Sequence, residues 1–192
     1  MENRLKELCA DNLEMKEKYY IYCQIKKKFT ERLRTVPAYF PHFSIHDGSH
    51  SVNIIKYLGL LLGQENIKKL SASDLFIICV SAYTHDISMS ISYEMIHDKM
   101  TSDDWKKKLI KYTKSEQEDL AEVAERLLRF PEVEKDIISL DIYSDVIYII
   151  EETFRKEHAE RSAKEIVADN DLENLFGIRI RNILAEVCRL HG

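Results

Sequence analysis

The sequence is poor in the residues that interrupt helices. It has 5 Gly and 3 Pro among 192 residues, whereas charged residues make up 32% and hydrophobic residues 45% of the chain. Such a composition leaves little turn punctuation and much material for amphipathic helices. A chain of this length fits one domain that buries a sizeable core. We therefore expect an all-α fold, a single helical bundle around one buried central helix.

Long apolar runs are also missing. No segment approaches 18 uninterrupted apolar residues, and the first 18 residues mix charged with apolar side chains. We therefore expect no signal peptide, no membrane partner and a cytoplasmic location. The four cysteines form no C-x-x-C pair, and we interpret them as reduced core residues. They are Cys9, Cys23, Cys79 and Cys188.

A marked positive charge is absent as well. The formal net charge is −5, which argues against a protein that coats nucleic acid through its phosphates. The run Lys106-Lys107-Lys108 is interpreted as a solvated helix face. The sequence has no G-x-x-x-x-G-K loop, no nucleophile elbow and no dinucleotide-binding fingerprint, so kinase, serine hydrolase and dehydrogenase functions lack support.

Helices predicted from apolar spacing cover most of the chain. Residues 3–36 form one long helix or two shorter ones, which Pro37 and Pro41 stop. A loop over residues 39–49 leads into a helix with His50 on its inward face. Further helices are predicted over residues 103–112, 115–130, 144–154, 160–168 and 178–191.

One segment stands out as the central helix. Leu75–Tyr83 is apolar on almost every face, so it should be buried on all sides. Ser71 and Asp74 precede it at the spacing of a capping box. The segment runs directly into the polar pair His85-Asp86.

Three histidines and one aspartate are expected at inward positions. His85 and Asp86 alone would be interpreted as a helix cap and the start of a turn. His50 begins a second apolar helix, and His191 continues an apolar stripe of the last helix. That stripe comprises Ile180, Leu184, Val187 and His191. Several histidines that converge on a buried His-Asp pair are costly to desolvate without a shared partner, and a cation is the simplest such partner.

The arrangement resembles the HD superfamily of metal-dependent phosphohydrolases, in which a first His precedes a long helix and a His-Asp pair follows. The resemblance is closer to the HD-CE subgroup and extends from about Tyr39 to the end of the chain. The segments that carry it are Phe43–Ser51 (FSIHDGSHS), Ala82–Met89 (AYTHDISM), His158–Ser162 (HAERS) and Val187–Gly192 (VCRLHG).

The resemblance implies a ligand set. It makes His50, His85 and Asp86 primary ligands of a divalent metal and adds His158 and His191 as ligands of a second ion, with Asp86 as the bridge. The metal could be Mn, Fe, Ni, Mg or Zn, and the catalytic role falls to His85 and Asp86.

Two positions depart from the family pattern. Relatives place a final metal-binding Asp on a helix beyond the segment that ends at Gly192, so we expect the chain to be a fragment that holds fewer than two tightly bound ions. Relatives usually carry Gly where this chain has Ser88, which removes no ligand.

Further residues are candidates for substrate contacts. His46 is placed outside the ligand set, facing the substrate. Arg155, Lys156 and Arg161 flank His158 and would pair with a phosphate, although solvated cations at a helix end are the commoner case. The two remaining histidines, His42 and His97, are interpreted as surface or turn residues.

The leading functional hypothesis is a phosphohydrolase that cleaves a phosphomonoester or phosphodiester of a small, nucleotide-like ligand with metal-activated water. The alternative is a sensory or scaffolding module of a larger protein, ahead of a chaperone-type ATPase region. A nuclease is the third and less favoured function. Residues 1–38 are expected to form a helical segment packed on the core, and residues 39–192 the HD-type domain.

Overall fold

The computed structural model describes residues 1–10, 13–40, 47–129 and 139–191. This part of the chain consists of helices and connecting turns without a strand, which confirms the all-α fold. The helices are α1 (Glu2–Leu8), α2 (Leu13–Leu33), α3 (Val36–Tyr39), α4 (Gly48–Lys69), α5 (Ala72–Thr84), α6 (Tyr93–Met100), α7 (Asp103–Tyr112), α8 (Glu118–Arg129), α9 (Leu140–Ala168) and α10 (Asn170–Arg189).

The chain divides into two compact units. Unit 1 comprises Met1–Ser90 and Glu157–Gly192, and unit 2 comprises Ile91–Lys156. Helix α9 therefore contributes its first part to unit 2 and its last part to unit 1.

Helix α5 is the centre of unit 1, as its composition predicts. The capping box is present, since the Asp74 N–H donates to Ser71 Oγ at 3.2 Å and the Ser71 N–H donates to Asp74 Oδ2 at 2.9 Å. Beyond this cap nearly every side chain is buried, and α5 packs against α1, α2, α4 and α10. An apolar helix of this kind requires neighbours on all faces.

The first two helices supply part of the same core. Leu5 of α1 and Tyr22 and Phe29 of α2 are almost fully buried and belong to one hydrophobic cluster with Leu75 and Tyr83 of α5. Burial of one such side chain stabilises a fold by roughly 1.5 to 3 kcal/mol. These helices therefore contribute to the packing that fixes α5.

Helix α4 begins against α2 at a point that requires glycine. Asp47 accepts the Ser49 N–H at 2.8 Å and so caps the helix. A Cβ atom on Gly48 would lie 2.6 Å from Thr30 Cγ2 of α2, closer than two carbon atoms can approach. The close approach places the first turn of α4, with His50, directly against α2 within unit 1.

Two long helices are broken at glycines. Gly63 in α4 has φ 73° and ψ 157°, and Gly177 in α10 has φ 81° and ψ 161°. These angles are accessible to glycine and strained for other residues. Each helix therefore changes direction at a residue that the sequence marks.

Several predicted helix boundaries were wrong. Helix α2 ends at Leu33, and Pro37 lies in the first turn of α3, where its missing N–H costs nothing. Of the two alternatives for the N-terminal segment, two helices are present, and α1 ends in a turn at Cys9–Ala10. Pro41 lies outside the described residues.

The end of the chain also differs from prediction. The helices predicted over residues 144–154 and 160–168 are the single helix α9, because no Gly or Pro lies between them. Helix α10 begins at Asn170, where Asp169 accepts the Leu172 N–H at 3.1 Å.

The inward face of the last helix matches the expected stripe only in part. Val187 is 40% exposed, and the inward face carries Leu184, Ala185 and Cys188. His191 lies beyond the end of α10. The predicted positions Ile180 and Leu184 do pack against the core, whereas Cys188 and not Val187 continues this face.

Unit 2 consists of α6, α7, α8 and the first part of α9. Its buried residues include Ile96, Leu109, Leu120 and Ile149. Arg126 of α8 donates two hydrogen bonds to the Asp145 carboxylate of α9. Helix α6 was not predicted.

Among the described residues, no single helix has both the length and the apolar composition needed to cross a membrane. The segments Ala72–Met89 and Tyr93–Met100 meet that criterion only when they are joined across a bend.

Candidate metal centre

The candidate site is built around Asp86, where the chain leaves α5. The His85 N–H still donates to the Ser81 carbonyl at 3.0 Å, so His85 is the last residue in the helical register. Asp86 then opens the short 3-10 turn Ile87–Met89. Its side chain is buried with 4% of the residue exposed, so the carboxylate lies inside unit 1.

One carboxylate oxygen of Asp86 faces two histidines. Asp86 Oδ2 lies 2.9 Å from His85 Nε2 and 3.7 Å from His50 Nε2. His50 comes from the first turn of α4. A set of ligand atoms from these three residues lies within 4.8 Å of one another. They are the residues that the family resemblance assigns to the first ion.

The other carboxylate oxygen faces the second pair of histidines. Asp86 Oδ1 lies 3.6 Å from His158 Nε2 and 3.3 Å from His191 Nε2. His158 comes from α9, and His191 from the turn after α10. Ligand atoms of these three residues also lie within 4.8 Å of one another. The structure thus brings together all five residues predicted as ligands.

Backbone carbonyls orient two of the rings. His85 Nδ1 lies 3.2 Å from the Ala82 carbonyl, and His191 Nδ1 is bonded to the Cys188 carbonyl. Because a carbonyl oxygen only accepts, each Nδ1 must carry the proton. In a neutral ring, the lone pair of Nε2 is then directed to the Asp86 carboxylate. Such an outer hydrogen bond fixes the ring orientation of many metal-binding histidines.

The lone pair of a histidine Nε2 and the lone pair of an Asp86 carboxylate oxygen repel each other unless a positive charge lies between them. In the absence of a cation that charge is a second proton on the ring, and the hydrogen bond to Asp86 accordingly raises the pKa of His191 above its usual value, although burial opposes the shift. A divalent cation supplies the same charge to more than one ring at once. Imidazole nitrogens and a carboxylate are the donors that Mn, Fe, Ni and Zn accept, so the residues fit a metal.

Comparison with known proteins agrees with this geometry. A family model described as HD-CE matches residues 40–192. The chain belongs to the HD-CE family. No curated protein and no solved structure matches the chain. The five histidine and aspartate residues of the centre lie inside the HD-CE span, whereas α1 and α2 precede it.

The predicted substrate-facing cations of the HD-CE domain have carboxylate neighbours. Arg155 and Lys156 lie in unit 2, where Arg155 contacts Glu152 at 2.9 Å and Lys156 contacts it at 3.7 Å. Arg161 lies in unit 1, and burial lowers its pKa against the opposing charges of two glutamates on the same helix, Glu157 and Glu165.

The remaining histidines lie away from the described centre or outside the described residues. His97 is part of α6 in unit 2. His42 and His46 are not among the described residues, so the substrate-facing role of His46 stays a prediction.

Sequence reasoning missed two hydroxyl groups beside the centre. Ser88 and Ser162 are buried and hydrogen-bonded to each other at 3.0 Å. Ser162 lies four residues after His158 and so shares its helix face. That spacing, within the segment HAERS, is the signal that could have identified it.

Proposed function

We propose that this HD-CE domain hydrolyses a phosphate ester of a small, nucleotide-like compound and uses divalent cations held around Asp86. The observation that carries the proposal is the division of the Asp86 carboxylate, with each oxygen facing one pair of imidazole rings. A buried carboxylate surrounded by neutral bases is costly unless cations join them.

The five residues of the centre would bind two ions. His50 and His85 would hold one ion with Asp86 Oδ2, and His158 and His191 a second with Asp86 Oδ1. When bound, such an ion supplies Lewis acidity toward a phosphoryl oxygen and a water of lowered pKa. Candidate metals are Mn, Fe, Ni, Mg and Zn.

The protein's own contribution is orientation and charge. The Ala82 and Cys188 carbonyls keep the Nδ1 protons of His85 and His191, so that both Nε2 atoms remain available as ligands. The buried carboxylate balances part of the cationic charge that would attract a phosphate. His46, Arg155, Lys156 and Arg161 remain the proposed contacts of the substrate.

A sensory or scaffolding module is the second candidate. It is favoured by the ion pairs of Arg155 and Lys156 with Glu152, because these cations are already balanced by a carboxylate. The net charge of −5 argues against the third candidate, a nuclease. A cytoplasmic location stays part of the proposal.

Metal analysis combined with a hydrolysis assay tests the proposal. We expect purified wild-type protein to retain a divalent metal and to cleave bis(p-nitrophenyl) phosphate or p-nitrophenyl phosphate with added Mn²⁺, Ni²⁺ or Fe²⁺. Asp86→Asn should lose both properties. Asp98→Asn, an exposed position on α6, is the control and should lose neither.

Each other outcome points elsewhere. Metal retention without turnover would favour the sensory module, and cleavage of a single-stranded oligonucleotide in preference to the small esters would favour the nuclease. A wild-type protein that binds none of these metals would refute the proposal.

A further inference from the structure

A chain of hydrogen bonds joins the turn after Asp86 to helix α9. The Ser88 N–H donates to Ser162 Oγ at 3.2 Å. The Ser162 hydroxyl donates to Ser88 Oγ at 3.0 Å, and the Ser88 hydroxyl donates to the His158 carbonyl at 2.9 Å. Two serines that lie 74 positions apart therefore take part in three consecutive hydrogen bonds, which we call the serine path.

The direction of every bond in this path is fixed. The Ser88 amide at one end only donates, and the His158 carbonyl at the other end only accepts. The Ser162 hydroxyl must consequently donate to Ser88, and the Ser88 hydroxyl to the His158 carbonyl. Each serine oxygen donates one bond and accepts one, and both side chains are buried, with 3% of Ser88 and none of Ser162 exposed. When every buried donor and acceptor has a partner, the hydrogen bonds favour a single arrangement of the side chains and backbone that they join.

The two ends of the path are tied to residues of the centre. Ser88 stands two positions after Asp86, and the last acceptor is the backbone of His158. The side chains of Asp86 and His158 face each other with 3.6 Å between Oδ1 and Nε2. The path therefore joins the backbone two residues after Asp86 to the backbone of His158, and both Asp86 and His158 would bind the second ion.

The position of His158 depends on the register of α9. That helix is 29 residues long, so a small rotation or slide against the turn would carry the His158 ring away from Asp86. Displacements on the order of 1 Å are enough to impair a functional constellation. The serine path opposes such a displacement at the level of His158 itself.

We propose that Ser88 and Ser162 are positioning residues, which lock α9 against the turn and so hold His158 toward Asp86 Oδ1. The inference rests on the proposed function, because it assigns a role toward the second ion. The path holds α9, whereas His50 and His85 come from α4 and α5, so we expect the pair at Asp86 Oδ2 to be affected less than His158.

Cobalt titration followed by calorimetry and by the visible spectrum tests the assignment. His50→Asn and His158→Asn first identify which step belongs to which pair of histidines. We expect Ser162→Ala and Ser88→Ala to weaken the step assigned to His158 by roughly tenfold or more, the effect typical of lost supporting bonds. The step assigned to His50 should change by less than about threefold.

Ser81→Ala is the matched control. Ser81 is buried in α5 only four residues before His85, and among the described residues its Oγ has no hydrogen-bond partner. This substitution removes a buried hydroxyl near the centre without breaking a bond, so both cobalt steps should persist. Ser162→Thr retains the hydroxyl and should restore most of the affinity that Ser162→Ala loses.

A double substitution tests whether the two serines act together in one path or make two independent contacts. Ser88→Ala with Ser162→Ala should weaken the second step no more than the worse single change, because both serines belong to one path. If Ser162→Ala does not fold, Ser88→Ala and Ser162→Thr still give the comparison.

The failures are distinguishable. Two cobalt steps that remain unchanged in Ser88→Ala and Ser162→Ala, or that weaken equally, would overturn the positioning role and leave the proposed function intact. A wild-type protein that binds no cobalt would overturn both.

Discussion

The Nε2 atoms of His158 and His191 lie 3.0 Å apart, although the two residues are 33 positions apart in the chain. Two nitrogens that bind one ion at about 2.0–2.1 Å are separated by about 3 Å when the angle at the ion is near 90°. Both atoms also lie within 3.6 Å of Asp86 Oδ1. The distance between the two Nε2 atoms is that of a hydrogen bond in the absence of an ion, and it also fits two ligands of one ion.

Substitution of His85 and substitution of His191 should have unequal effects on metal retention. His85→Ala should abolish it, because His85 makes the shortest contact with Asp86, at 2.9 Å, and only 12% of its side chain is exposed. His191→Ala should reduce it, since His191 lies beyond α10 and its side chain is 25% exposed. Elemental analysis of the purified variants measures both, and His97→Ala in α6 is the control. Two tight sites that either substitution damages equally would contradict this prediction.

Two glycines of α4 should respond to alanine with opposite signs. Gly63→Ala should destabilise the protein by about 1–3 kcal/mol, because its φ of 73° is strained for alanine although the space around it is open. Gly59→Ala should stabilise it by about 0.5–1 kcal/mol, because Gly59 is helical and a Cβ would meet Ile67 Cδ1 at an ordinary 3.9 Å. Urea unfolding measures both changes in the free energy of unfolding. Changes of the same sign would contradict the conclusion that Gly63, but not Gly59, has a backbone conformation that requires glycine.

The hydrogen bonds of Glu2 with Lys26 and Tyr22 should make the protein less stable in acid. Glu2 accepts hydrogen bonds from Lys26, at 2.7 Å, and from Tyr22. Partial burial raises the pKa of Glu2, but these bonds outweigh it and the net pKa is lowered. A lowered pKa in the folded state gives stability that is present above the ordinary value of 4.5 and lost as pH falls through the folded value.

Glu2→Gln should therefore destabilise the protein by about 1 kcal/mol at neutral pH, and the difference from wild type should vanish in acid. Denaturation at a series of pH values measures it. Glu7→Gln, on the same helix, removes only an exposed pair with Arg4 and should have little effect at any pH. A difference that persists unchanged to pH 3 would contradict the linkage.

The four thiols should react at very different rates. Cys9, Cys79 and Cys188 are buried as expected, whereas the prediction of a core position was wrong for Cys23, which is exposed. Burial raises the pKa of both Cys79 and Cys188 to about 12, so the reactive thiolate is scarce as well as inaccessible. A disulfide reagent should modify one thiol rapidly in the folded protein and four after denaturation. Cys23→Ser should remove the rapid phase, and rapid modification of two or more thiols would contradict the packing.

The parts of the fold that the sequence predicted are those set by strong local patterns. Helix α5 was predicted because a segment that is apolar all round has few alternatives to burial, and its cap because Ser71 and Asp74 stand at the capping-box spacing. The boundary near Pro37 was wrong because proline is compatible with a first helical turn as well as with a stop.

The centre was predicted through the ends of helices and through the family resemblance. His85 and Asp86 follow α5 directly, so their place could be read along the chain. The apolar stripe that led to His191 was only partly correct, since Leu184 is buried but Val187 is exposed. The position of His191 depends on the turn after α10. The serine path was missed because its bonds join residues 74 positions apart, and no local pattern encodes such a contact.

The shared carboxylate of Asp86 also has a thermodynamic consequence. Occupancy on the His50 side and occupancy on the His158 side would act on one small anion, so the two binding equilibria cannot be independent. Whatever factor the first ion imposes on the affinity of the second, the second must impose on the first. A dissociation constant measured for either side alone therefore belongs to a stated occupancy of the other, and a phosphorylated ligand that favours one side would change the retention of the ion on the opposite side.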